Sequence, residues 1–220
     1  MQTTSQESVA SEISPREDQE SLAICFEYCS LLFTYPNNLH YPHLATAHGF
    51  FAHQHQALVN APSPAIPEQE RLQYEYTALF AANPDGLPAA PYASCYLSPD
   101  GDTYTETTHQ LARLMRSYGV EPDREAGEPA DHIATIMAFC ALLTRNSDDP
   151  AALADLHAVI EATLLPWIGQ FAHKIELSGL SMFYTAAARF CQTLIEHHAE
   201  LFATLFSPAA HDTKEDAPCS

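Results

Sequence analysis

Apolar residues recur three and four positions apart along most of this 220-residue chain, and nowhere do they alternate with polar ones as a half-buried strand requires. The longest stripe lies within 179–206, where Leu180, Phe183, Tyr184, Ala187, Phe190, Cys191, Leu194 and Ile195 fall on one side of a helix. A helix apolar over so much of its length is expected to be a central packing element. The same period predicts helices over 21–33, 42–59, 67–81, 105–118 and 129–145. Pro67, Pro129 and Pro150 stand where a first helical turn tolerates a missing N–H, and Gly119 stands where a cap would end the helix over 105–118. A further helical stretch starts at Pro150 and contains Pro166. That ring removes one backbone hydrogen bond and clashes with the turn before it, so two shorter helices are expected, with a break or kink just before Trp167. The fold class expected is all-α, a single-domain helical bundle.

The ends differ from the middle. Residues 1–18 are rich in Ser, Glu and Gln, and residues 207–220 are polar with Pro208 and Pro218. Both are expected to be flexible tails around an all-helical domain of residues 19–206. The longest stretch without periodicity is 82–102, carrying Pro84, Gly86, Pro88, Pro91, Pro99 and Gly101, and a loop that long in a compact domain points to function.

Charge narrows the choice of partner. Twenty-eight acidic residues against 9 basic ones give a formal net charge of -19, which repels phosphate backbones and anionic membrane faces and attracts cationic ligands. Nucleic acid is therefore not an expected partner, although the same acidity also serves solubility alone. No apolar run approaches the roughly 20 residues of a membrane-spanning helix, and residues 1–20 lack the apolar segment of a secretory signal. The chain is expected to be cytoplasmic, without membrane insertion. Six cysteines form no CxxC pair, and those inside apolar periodic segments read as reduced core residues. His53/His55 and His197/His198 point to different sides of their helices and no HExxH occurs, so no metal is expected. Ser94 lacks a nucleophile elbow and there is no phosphate loop, so neither an enzyme nor a cofactor of its own is expected.

Chemistry-bearing residues gather in mid-chain. Tyr76-Thr77-Ala78-Leu79-Phe80 ends a predicted helix, Pro91-Tyr92-Ala93-Ser94-Cys95-Tyr96 lies in the loop after it, and Glu128-Pro129-Ala130-Asp131-His132 opens the very apolar stretch 133–143. In this order the chain resembles the TorD/DmsD/NarJ family of molybdoenzyme maturation chaperones. Members of that family typically carry a helix ending in Leu-Phe, a Pro-Tyr-Glu-Ser-Val-Tyr-like stretch, and Glu-Pro-x-Asp-His ahead of a buried helix. The resemblance spans 74–143, with weaker support from Leu165-Pro166-Trp167 and Phe183-Tyr184. It departs at Ala93, where the family usually has Glu, and at Cys95, where Val is common. Any role of that acidic side chain is absent here or supplied elsewhere.

The resemblance implies a bundle of the TorD-like type, monomeric or dimeric by exchange of segments, that binds rather than catalyses. Its implied partners are the twin-arginine signal peptide and the apo form of a molybdopterin-dependent oxidoreductase, held for cofactor insertion before Tat export. The molybdopterin belongs to that client. A NarJ-like assembly factor for a membrane-bound reductase is the alternative within the class, and a small metal-dependent hydrolase is one from another class. A leader with two guanidinium groups and an apolar run needs an apolar groove with carboxylates near one end. Leu79, Phe80, Pro91, Tyr92, Ser94 and Tyr96 are assigned to that site together with Glu128, Pro129, Asp131 and His132. Glu128 and Asp131 are expected to meet arginine, and His132 to donate to a peptide carbonyl or fix Asp131 in either protonation state. Burying several large apolar side chains at about 1.5–3 kcal/mol each outweighs two charge-assisted arginine contacts, so the arginines set register while the apolar run sets most of the affinity. Each piece has a plainer reading too: 128–131 as a helix start, Leu79 and Phe80 as core, Tyr92 and Tyr96 as seals at a core edge.

Overall fold

Amphipathic helices bury their stripes only against one another, and the computed structural model shows how these do so for the residues it describes, 15–99, 103, 105–121 and 129–206. Among the described residues there are nine α-helices and no strand: α1 (Pro15–Leu32), α2 (His40–Val59), α3 (Gln69–Tyr76), α4 (Ser94–Leu97), α5 (Glu106–Ser117), α6 (Ile133–Arg145), α7 (Pro150–Val159), α8 (Leu165–Ser178) and α9 (Met182–Phe206). The all-α expectation holds. The proposed C-terminal tail and most of the N-terminal one fall outside the described residues, while α1 starts six residues ahead of the expected helix.

The most extensive pairing is α1 with α6. They run antiparallel, because Gln19 near the start of α1 donates to the Thr144 carbonyl near the end of α6 at 2.8 Å. Arg145 closes the same end on Glu20 and Glu27. α8 and α9 form a second antiparallel pair, turned by Gly179 at φ 63°. Trp167, Tyr184, Phe26, Phe33, Phe171 and Phe190 are fully buried between these pairs, each contributing a few kcal/mol of apolar burial. His48 and His55 fasten α2 to its neighbours: His48 Nε2 lies 2.8 Å from the Pro64 carbonyl, and His55 Nε2 lies 3.2 Å from that of Ala186 in α9.

Two π-helical turns interrupt the α-helical ladder. Ahead of Trp167, where a break or kink between two shorter helices is expected, a π turn over Ile160–Leu164 divides α7 from α8. Leu165 N–H donates back to the Ile160 carbonyl, so the rod stays helical from Pro150 to Ser178 while Pro166 sits in the first turn of α8, where its missing N–H matters least. By length and composition this rod is long and apolar enough to cross a membrane, and its face bearing Trp167, Ile168, Phe171 and Ile175 is buried in the core. The second π turn, Thr77–Ala81, ends α3. α6 begins at Ile133 rather than at Pro129, with His132 as its cap.

Candidate functional site

The π turn over Thr77–Ala81 starts the site. Its wider closure, Ala82 N–H to the Thr77 carbonyl at 2.8 Å, leaves the Leu79 carbonyl to accept Ala89 N–H at 3.4 Å, which draws the proline-rich loop back onto the helix end. Pro91 then carries the chain past residues 131–133 as a short antiparallel bridge centred on Tyr92 and His132. Ile133 N–H donates to the Pro91 carbonyl at 2.9 Å and Ala93 N–H to the Asp131 carbonyl at 3.0 Å. Pro91 has no N–H to offer, so the bridge uses only its carbonyl. The two mid-chain motifs, some thirty residues apart, are thus one structural unit.

Side chains tighten the unit. The Asp131 carboxyl is 0% exposed and accepts Ser94 N–H through Oδ2 at 3.0 Å, at the start of α4. Its Oδ1 and the Ser94 Oγ have no hydrogen-bond partner among the described residues. A buried acidic oxygen in that condition typically costs about 1–3 kcal/mol or more, so it is a poor purely structural choice. His132 is 1% exposed, and its Nδ1 accepts Ala134 N–H at 3.2 Å. That bond places any ring proton of the neutral form on Nε2. Burial holds its pKa down to about 4, which the Asp131 charge only partly offsets, so His132 is neutral at physiological pH. The Tyr92 ring meets the His132 ring edge-on at 5.3 Å.

Tyr96 looks the other way. Its ring stacks on Trp167 at 4.9 Å and meets Phe171 edge-on at 6.4 Å, both on α8, while Lys174 Nζ lies 4.6 Å from the ring centroid. Burial pushes the Tyr96 phenol up, and its hydroxyl has no partner among the described residues. Phe171 also touches Phe80, at 5.9 Å, and so links the Leu-Phe helix end to the tyrosine loop through the core.

The structure therefore brings the assigned residues together, but mostly inside. Leu79 and Phe80 are 0% and 2% exposed and form core rather than an open apolar wall. Asp131, assigned to meet arginine, is committed to Ser94 and has no surface in this conformation, and His132 is likewise enclosed. The plainer reading of 128–131 as a first helical turn also gives way, since the Asp131 carboxyl caps the Ser94 amide and Pro129 accepts His132 N–H in a turn ahead of α6. Pro91 and Ser94 are buried, and Tyr92, Tyr96 and Pro129 are partly exposed. Glu128 lies outside the described residues. Sequence reasoning passed over Phe171 and Lys174; their spacing from Trp167, four and seven residues along one helix face, was the available signal. Among the described residues no three His, Cys, Asp or Glu side chains converge as metal ligands.

The chain is similar to known proteins over more than half of its length. A family profile described as nitrate reductase delta subunit matches residues 42–173. The chaperone protein TorD of Shewanella pealeana is 32% identical over 136 residues, 59% of each chain. The TorD of Photobacterium profundum is 30% identical over 135 residues, 56% of this chain and 62% of its own. That of Shewanella sp. strain MR-4 is 30% identical over 122 residues, 53% and 56%. The chain thus spans less than two thirds of the length of these relatives. A crystal structure from Archaeoglobus fulgidus, provisionally named as a redox enzyme maturation protein, superposes with a TM-score of 0.57 at 25% identity, covering 87% of this chain and 99% of that one.

Proposed function

From the premise that this chain belongs to the nitrate reductase delta subunit family, which takes in the TorD and NarJ proteins, we propose that it is a cytoplasmic maturation chaperone. On this reading it binds the twin-arginine signal peptide of a molybdopterin-dependent oxidoreductase and holds the apo form for cofactor insertion before Tat export. It works by binding, without catalysis. The observation that carries the reading is the bridge joining Tyr92 to His132, with a half-satisfied acid, Asp131, buried at its root.

The partly exposed Tyr92, Tyr96 and Pro129 make the first contact with the leader. Leu79, Phe80, Pro91, Ser94, Asp131 and His132 come within its reach when the bridge between 91–93 and 131–133 opens, and Glu128, next in sequence to Pro129, is a further carboxylate assigned to the arginines. Opening breaks two backbone hydrogen bonds of about 1 kcal/mol net each and uncovers apolar side chains, costs that an arginine on the freed acidic oxygen and the apolar run of the leader must together offset. The apolar run of the leader then supplies most of the affinity.

Calorimetry of the full chain with a client leader tests this. Binding is expected to survive, weakened, when Arg-Arg is changed to Lys-Lys; a leader that does not bind in either form removes the proposal. A second reading, a NarJ-like factor acting on the retained N-terminal segment of a membrane-bound reductase, is favoured by the description of the matching family profile. It predicts equal binding by a peptide with no arginine pair.

A further inference from the structure

The basic residues of this acidic chain are few, and five of the described arginines sit on carboxylates: Arg16 on Asp148, Arg71 on Glu75, Arg113 on Glu106, Arg145 on Glu20 and Glu27, and Arg189 on Glu176. Lys174 does not follow them. It makes no ion pair among the described residues, and its ammonium lies over the ring of Tyr96 instead. Trp167 and Lys174 are seven residues apart on α8, a rise of about 10 Å, and both reach the Tyr96 ring, Trp167 stacked at 4.9 Å and the ammonium over it at 4.6 Å from the centroid. Cys95, next to Tyr96 in the chain, has its thiol pushed up by burial and by the Asp131 charge and drawn down by the Lys174 charge.

We propose that Lys174 is a resident stand-in for an arginine of the client: it fills the cation seat on Tyr96 in the free protein, and the incoming guanidinium displaces it. This rests on the reading that an arginine-bearing leader binds here. The exchange has a direction. A planar, weakly hydrated guanidinium stacks on an aromatic face better than a strongly hydrated ammonium, and Lys174 is exposed, so its displaced ammonium has water to enter. Occupied in this way, the seat discriminates against lysine, because a Lys-Lys leader only replaces one ammonium by another. Lys174 is thus a specificity-determining residue.

The test uses the full chain and a synthetic leader containing Arg-Arg and an apolar run but no tryptophan. Trp167, the sole tryptophan of the chain and stacked on Tyr96, reports binding by fluorescence. Lys174→Met keeps the apolar stem and removes the charge, and it is expected to bind the leader roughly threefold to tenfold tighter. The gain should persist with Tyr96→Phe, which keeps the ring, and vanish with Tyr96→Leu. A gain of equal size without the ring is a general charge effect and overturns the proposal. Unchanged or weaker binding by Lys174→Met, with the unaltered chain binding normally, overturns it and leaves the leader-binding reading standing. Binding by Lys174→Met alone supports it. Binding by neither overturns both readings. A second measurement stands apart from whether Tyr96→Leu folds: the ε-methylene protons of Lys174 should resonate upfield through the ring current of Tyr96 and return towards their ordinary position as the leader saturates the chain. Lysine signals at the ordinary position in the free chain overturn the proposal.

Discussion

Asp131 and His132 are adjacent, both enclosed, and held by opposite means. Asp131 donates nothing and satisfies one oxygen on a backbone amide, whereas His132 is kept neutral by burial and caps α6 through Nδ1. The histidine makes the fold acid-sensitive in a calculable direction. In the unfolded chain it titrates near 6.5 and in the folded one at about 4, so between those values the unfolded state takes up the proton first. The stabilisation is fully present above about pH 6.5, declines as the pH falls, and is gone below about 4, amounting to about 3 kcal/mol in all. His198, brought down to about 4 by burial and by His157 and His197, steepens the same limb. His132→Asn keeps an acceptor at the cap position but no titratable ring. Urea unfolding across pH 4 to 7 should show a visibly flatter acid limb for this variant, and an unaltered limb would mean that His132 is already charged in the fold.

At the scale of elements, periodicity located the helices and failed where a residue serves something other than its own helix. Pro129 resembles a first-turn proline, but residues 129–132 form a turn that pairs with 91–93, so α6 waits until Ile133. Pro166 resembles a break, but inserting one residue into the preceding turn shifts the hydrogen bonding past the ring, and an i to i+5 turn leaves no period in a sequence. The pairing of Tyr92 with His132, and of Tyr96 with Lys174, joins residues far apart in the chain and had no local signature beyond the motifs themselves. Chain reversals were more legible, since Gly119 has φ 73° just past α5, as its position suggests. Two left-handed caps, Gly179 after α8 and Asn60 after α2 at φ 54°, allow a paired test. A Cβ at Gly179 meets nothing within 4 Å, so Gly179→Ala adds only the backbone penalty of about 1 kcal/mol. Thermal unfolding should show that loss for Gly179→Ala, whereas Asn60→Gly should be neutral or slightly stabilising. Equal losses at both positions would place the difficulty in the turns themselves rather than in the sign of φ.

At the scale of the whole molecule, the formal charge of -19 and the mid-chain unit act at different ranges. With most described arginines neutralised by a neighbouring carboxylate, the excess acids set the field that a cationic leader meets first, and that field is cut off over about 10 Å at 0.1 M salt. On the proposed function, the contacts that would hold the bound leader are short-range and mostly apolar, and salt at these concentrations would barely alter them. Charge should therefore govern encounter, and burial should govern residence. Stopped-flow fluorescence of Trp167 separates the two: raising the salt from low to physiological strength should slow association on the order of tenfold while leaving dissociation nearly constant. An association rate indifferent to salt would assign the acidity to solubility alone. A dissociation rate that climbs with salt as steeply as association falls would put the arginine contacts, rather than the apolar run, in charge of holding the leader.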